Sequence, residues 1–153
     1  MPLAEVAFYD VVKWLHIVAF LVAFGPTYGY GIFMAAATKA GPGAMIEAVR
    51  AMVKWDRIAI TIGGVVLLVS GHYMAAERFE FSEFFVNWGN VVFLFILGMT
   101  HAFFVPREKR VIAALEQGRE DEAQALSKQI GMVGALMGVV VILTVYVMTA
   151  KPF

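Results

Sequence analysis

Three histidines are the side chains of this sequence with the clearest capacity for chemistry. His16 follows Lys13 inside a long apolar run, His72 precedes Glu77 at the end of a second run, and His101 lies near the end of a third. Imidazole is a common ligand of metal ions and of haem iron, and a polar ring is costly to leave without a partner in lipid. What these rings can do depends on where the helices that carry them place them.

The composition of the chain identifies those helices as membrane-spanning. Hydrophobic residues make up 61% of 153, and only 16% are charged, against about 25% charged in an average soluble domain. Four stretches free of Asp, Glu, Lys and Arg are long enough to cross a bilayer, at 14–38, 58–76, 84–106 and 129–150. The sequence therefore predicts an all-α fold, a single integral membrane four-helix bundle running up-down-up-down. Its helices are expected at about 9–38, 55–77, 84–107 and 128–150, with a helical hairpin at about 107–128.

The basic residues predict the orientation of this bundle. Nine of the twelve lie between the first and second or between the third and fourth helices, and the other three are Lys13, Arg78 and Lys151. Because loops rich in Lys and Arg stay in the cytoplasm, we expect both termini outside and a multi-pass protein of the cell inner membrane. The chain has no cysteine and no net charge, which excludes disulfides and thiolate-bound metals and suggests no nucleic-acid partner.

In this topology, two of the histidines come to one level. His16 lies three residues inside Lys13 in helix 1 and His72 five residues inside Glu77 in helix 2, a difference in depth of about 3 Å at the helical rise. Antiparallel neighbours could turn the two rings toward one another, as the axial ligands of haem b require. The sequence thus predicts a metal site at His16 and His72. His101 lies at the opposite end, where an interfacial position or a hydrogen bond to a neighbouring helix is expected.

Two further features suit a haem b site at this level. Lys13 and Arg78 flank the histidines and are candidates for pairing with haem propionates, since Arg binds carboxylates through directional hydrogen bonds. Small residues below His16, at Ala19, Ala23 and Thr27, are expected to leave room beside a macrocycle.

These observations favour a membrane haem protein of electron transfer or redox sensing, a possible oxidoreductase. Its expected partners are the lipid bilayer, a quinone or membrane redox partner, and further subunits of an oligomer or larger complex. The alternative is a non-catalytic scaffold or accessory subunit of a membrane complex. Transport ranks last because no carboxylate or lysine falls inside the four predicted spans, and such groups are the usual ingredient of proton-coupled carriers.

The motifs around the histidines carry a family resemblance. The segment KWLHIVAFLVAFG at 13–25, through Leu15, His16, Ile17 and Gly25, resembles the first helix of small bacterial integral membrane proteins of the domain-of-unknown-function 2269 group. It is also similar to the copper-resistance-D-like and membrane protoporphyrinogen-oxidase-like four-helix proteins. LLVSGHYM at 67–74 and the ALEQGREDEAQAL hairpin are similar to segments of the same group. The resemblance implies a four-helix membrane fold and, from the haem-related relatives, an iron-ligand role for His16. The PTYGYGIFMAA segment departs from the Pro-Arg pattern of the porphyrin oxidases.

Overall fold

A computed structural model of the chain describes residues 3–151, and they form four long helices. Helix α1 consists of Leu3–Phe24, a 3₁₀ turn at Gly25–Gly29 and Tyr30–Ala40, and α2 consists of Pro42–Trp55, a π-helical segment at Asp56–Ile60 and Thr61–Arg78. Helix α3 consists of Phe84–Met99, a π-helical segment at Thr100–Phe104 and Val105–Glu116. Helix α4 is continuous over Glu120–Ala150. No strand occurs among the described residues, and the predicted all-α fold is confirmed.

The connections between the helices are short, so successive helices are antiparallel neighbours. Gly41, at a φ of +108°, ends α1, and Pro42 begins α2; Gly118, at a φ of +69°, turns the chain between α3 and α4. Glycine adopts this left-handed region without the steric penalty of a Cβ atom, and proline suits the first position of a helix. We name the end of the bundle with these two turns the hairpin end, and the opposite end, with the 79–83 connection, the histidine end.

Two prolines account for irregular geometry inside the helices. Pro26 lies in the 3₁₀ turn of α1, and Pro106 follows the π-helical segment of α3. Proline has no N–H to donate and its ring crowds the carbonyl four residues earlier, which for Pro106 is that of Ala102 within the π-helical segment. The wider π turn gives the chain a way to accommodate that missing bond.

The middle of the bundle is packed by side chains from all four helices. The buried cluster consists of Ala23, Phe24, Ile60, Val92, Ile96, Met137 and Val141. Large apolar side chains also cover the outside, and Ile32, Val91 and Leu136 are all more than half exposed. Each of the four helices is long and apolar enough to cross a membrane, so this outer surface suits lipid. The predicted membrane bundle is confirmed.

A second cluster closes the hairpin end. Val49 of α2 packs with Val111, Ala114 and Leu115 of α3 and Ala123 of α4. The segments on either side of the predicted spans are therefore continuous with the helices: α2 already begins at Pro42, and the 107–128 hairpin is the end of α3 and the beginning of α4. Gly118 lies at the bend between α3 and α4, within the helical hairpin that the sequence predicts at about 107–128.

Candidate functional site

His16 lies in the contact between α1 and α2. Its Nδ1 atom is 2.8 Å from the Ser70 hydroxyl, and that hydroxyl lies 2.5 Å from the Val66 carbonyl. A hydroxyl has one proton to donate, and a carbonyl can only accept it. Ser70 therefore donates to Val66 and accepts from the His16 Nδ1–H, which leaves the His16 Nε2 as the nitrogen with a free lone pair.

His72 has the same arrangement of its ring nitrogens. Its Nδ1 lies 2.8 Å from the Leu68 carbonyl, one helical turn earlier, so Nδ1 carries the proton and Nε2 the lone pair. The ring stands against Phe81, with 5.8 Å between ring centroids. Because the His16 ring contacts Ser70 and Gly71, the two histidines lie at one level of α2.

Tyr9 brings the two flanking cations to the same end of the bundle. The Arg78 guanidinium lies 3.7 Å from the centroid of the Tyr9 ring, and the Lys13 Nζ lies 5.9 Å from it. Lys13 also forms an exposed salt bridge of 3.1 Å with Asp10. Lys13 and Arg78 are thus neighbours of the histidine level, and each has a protein partner in this structure.

The small residues below His16 are used for helix packing. A Cβ atom placed at Gly63 would lie 2.8 Å from the Ala23 Cβ and 3.3 Å from the Ala19 carbonyl oxygen. The prediction that Ala19 and Ala23 leave room for a macrocycle was wrong, because these side chains let α1 and α2 approach closely. The space between the two helices below His16 is therefore filled by protein side chains.

A buried carboxyl group lies at the hairpin end, which the sequence analysis did not predict. Asp56 is only 4% exposed, and the Tyr30 hydroxyl of α1 donates a hydrogen bond of 2.8 Å to its Oδ1 atom. Asp56 is the first residue of the π-helical segment of α2. π turns inside helices are frequent at functional sites.

A second buried carboxyl group belongs to the same cluster. Glu108 of α3 is 2% exposed, and its Oε2 atom has no hydrogen-bond partner. It lies within electrostatic reach of both Asp56 and Tyr30. Ser127 of α4 also has a buried hydroxyl with no partner. Among the residues that the structure describes, neither carboxyl group forms a salt bridge.

These two groups lie just outside the predicted apolar spans, in the parts of α2 and α3 that continue those spans toward the hairpin end. Asp56 and Glu108 fall within two of the four helices that are long and apolar enough to cross a membrane. Helical periodicity is the sequence signal that indicates burial of these two acids, because each occupies a position in a buried stripe of its helix. The stripes are Val49, Met52, Asp56 and Ile60 in α2 and Val105, Glu108, Val111 and Leu115 in α3. The predicted second span begins at residue 58, two residues after Asp56, and the predicted third span ends at residue 106, two residues before Glu108.

His101 forms a hydrogen bond to a neighbouring helix, away from the level of His16 and His72. Its Nε2 atom lies 3.0 Å from the Thr61 hydroxyl of α2, in the region where the two π-helical segments meet. The sequence predicts for this ring either an interfacial position or a hydrogen bond to a neighbouring helix, and the contact with Thr61 is such a hydrogen bond.

The fold and these sites define a class: a small multi-pass integral membrane protein built as a four-helix bundle with polar groups at both ends of its interior. The chain belongs to the DUF2269 family of predicted integral membrane proteins, whose family model matches residues 10–152. The resemblance stated above to the domain-of-unknown-function 2269 group is thereby confirmed. No curated protein and no solved structure matches the chain.

Proposed function

We propose that this protein binds haem b at the histidine end and serves in electron transfer or redox sensing. It would lie in the cell inner membrane with both termini outside. A quinone or a membrane redox partner would exchange electrons with the haem. His16 and His72 would supply the two ligands through Nε2, with Lys13 and Arg78 near the propionates.

The observation that carries this proposal is the matched state of the two imidazoles. Both donate their Nδ1–H to acceptors of α2, Ser70 and Leu68, and both keep a lone pair on Nε2. Histidines that bind a metal almost always donate the other ring N–H to a carbonyl or a similar acceptor, which fixes the tautomer and the ring orientation. The match supports a ligand role for a pair that also lies at one level of α2.

The chemistry of such a site would be one-electron exchange, because bis-histidine haem has no open coordination position. The chain's own residues would set the ring orientation through the Ser70 and Leu68 acceptors. Lys13 would exchange its Asp10 partner for a propionate, and the Arg78 guanidinium, now over Tyr9, has free N–H groups for the same purpose.

The test is an absorption spectrum of the detergent-purified protein, oxidised and then reduced with dithionite. We expect a Soret band and sharp reduced α and β bands, lost in His16→Ala and in His72→Ala. His101→Ala is the matched control and should keep the spectrum. A protein that is colourless and stays colourless after haem is added contradicts the proposal.

One observation favours a second candidate, a non-catalytic scaffold or accessory subunit. Protein groups occupy the spaces beside the glycines of α2: Ala23 beside Gly63, the Phe93 ring beside Gly64 and the His16 ring beside Gly71. In this function, His16 would serve helix packing through its bond to Ser70. A colourless protein whose His16→Ala variant unfolds at lower denaturant than the wild type would support this candidate over the haem protein.

A further inference from the structure

The acidic cluster at the hairpin end presents an electrostatic problem that the histidine end does not address. Asp56 and Glu108 are almost fully buried and lie within electrostatic reach of one another. An ionised carboxylate withdrawn from water costs several kcal/mol unless a cation or several hydrogen bonds compensate it. In the described part of the chain, no Lys, Arg or His lies within salt-bridge distance of either group. Two carboxylates in one such place cannot both ionise without a large penalty.

The hydrogen bonds indicate which atom needs a proton. Tyr30 gives its hydroxyl proton to Asp56 Oδ1 at 2.8 Å, which supports a negative charge on Asp56. Glu108 Oε2 has no donor. A protonated carboxyl group is a hydrogen-bond donor as well as an acceptor, so a proton on Glu108 removes the second charge and gives this side chain an O–H to share.

A second polar atom without a partner lies at the same level. Glu108 is ten residues before Gly118 and Ser127 is nine residues after it, so the α3–α4 hairpin places both at nearly equal distances from the turn. The Ser127 hydroxyl is buried and has no hydrogen-bond partner. Two unsatisfied polar atoms in one buried layer mark a position that a mobile hydrogen-bonding species can complete.

We propose that Asp56 and Glu108 form a proton-binding site at the hairpin end of the bundle, in which the pair shares one proton and exchanges it with water. In each release, the carboxyl O–H bond breaks, the electron pair stays on the carboxylate and water accepts the proton; uptake is the reverse. No oxidation or reduction is involved.

The surrounding groups favour a proton over a metal ion as the ligand. Ca²⁺ and Mg²⁺ take six or more oxygen ligands and Zn²⁺ usually takes four ligands, and the described residues contain no group of three or more His, Cys, Asp or Glu that could hold a metal ion. The titratable groups that interact with Glu108 are Tyr30 from α1 and Asp56 from α2. The α4 residue at this level, Ser127, does not titrate.

Proton release at this site acts on the contact between α2 and α3, because each helix carries one of the two acids. When both acids are ionised, two like charges lie across the interface between α2 and α3. The Arg50–Glu116 salt bridge of 2.7 Å joins the same two helices. The bound proton therefore favours close packing of α2 and α3, and its loss favours their separation.

The test is infrared spectroscopy of the full chain in lipid nanodiscs, since a protonated carboxyl group has a C=O stretching band that carboxylates lack. At neutral pH we expect one such band, shifted by exchange into deuterated water. Glu108→Gln should abolish it, and Asp56→Asn should move its disappearance to lower pH, because the neighbouring charge is gone. Glu120→Gln, at an exposed acid of α4, is the matched control and should leave it unchanged.

Each of two results would refute the proposal. One is a wild-type spectrum without a protonated carboxyl band at neutral pH, and the other is a band that Glu108→Gln leaves as strong as Glu120→Gln does. If Glu108→Gln fails to fold, the wild-type protein decides the question alone: its band must disappear with rising pH as a single proton is released, and a band that is constant across the titration refutes the site.

Discussion

The Tyr30 hydroxyl of α1 donates a hydrogen bond of 2.8 Å to the Asp56 carboxylate of α2. This bond joins two helices that are connected by Gly41, and it fixes the acid on the inner side of its helix. Tyr30 directly follows the 3₁₀ turn at Gly25–Gly29, and Asp56 begins a π-helical segment. Both partners thus stand where the regular helix is interrupted.

Tyr30→Phe tests the contribution of this bond to stability. The change removes only the hydroxyl and leaves a buried carboxylate without its donor, so we expect the free energy of unfolding to fall by about 1–3 kcal/mol. The measurement is reversible unfolding in mixed micelles. Tyr28→Phe is the control, because its longer bond of 3.3 Å to the Gly138 carbonyl is exposed and its loss should have a much smaller effect. Equal losses in the two variants would contradict the assignment.

Gly63→Ala tests the close approach of α1 and α2. The new Cβ would lie 2.8 Å from the Ala23 Cβ, and overpacking of this kind typically costs about 1–3 kcal/mol. We expect a lower unfolding midpoint in the same micelle assay, with partial recovery in the Gly63→Ala, Ala23→Gly double variant. At Gly98, a Cβ meets nothing within 4 Å, so Gly98→Ala should be neutral or slightly stabilising. Failure of the double variant to recover would argue against this contact.

The pH dependence of stability follows from the proton-binding site. If the folded bundle holds a proton that the unfolded chain releases at neutral pH, the folded state binds more protons, and stability falls as the pH rises. The expected slope approaches about 1.4 kcal/mol per pH unit for one proton. Unfolding midpoints measured from mildly acidic to mildly alkaline pH check this. Glu108→Gln should flatten the curve and Glu120→Gln should not; a flat wild-type curve is the contrary result.

Ser70→Ala tests the histidine end. It removes the acceptor of the His16 Nδ1–H, and loss of such a supporting hydrogen bond typically weakens metal binding about 10–100-fold. Haem titrations followed by absorbance should show this loss for the haem protein proposed above. Ser82→Ala, in the exposed connection between α2 and α3, serves as the control. If Ser70→Ala binds haem as tightly as the wild type, the hydrogen bond from His16 to Ser70 does not support haem binding.

Much of the fold was predictable because apolar length and helix-breaking residues are local properties. The four spans, the end of α1 near Gly41 and the bend at Gly118 all follow from short stretches of sequence. The level shared by His16 and His72 follows from counting residues along two antiparallel helices.

The acidic cluster was missed because charged residues were used to mark the ends of the helices. Asp56 lies two residues before the predicted second span and Glu108 two residues after the predicted third, so Asp56 was placed at the edge of the predicted 55–77 helix and Glu108 in the predicted 107–128 hairpin, and neither was expected to be buried. Only the position of each acid in a buried stripe, with Met52 for Asp56 and with Val111 for Glu108, distinguishes it from an exposed acid. The room expected beside Ala19 and Ala23 was misjudged for a different reason: Ala23 fits beside Gly63 only through the tertiary packing of two helices, which composition does not specify.

The single-residue link at Gly41 and the tight turn at Gly118 have a consequence for how the chain enters the membrane. The helices on either side of each turn contact each other along the hairpin, so each helix packs against its neighbour along the chain. Closing such short loops costs little conformational entropy and favours rapid folding. Biogenesis can therefore proceed as two prefolded helical pairs, α1–α2 and α3–α4. Asp56 and Glu108 come within electrostatic reach of one another only when the pairs dock, which makes their interaction a marker of the last assembly step.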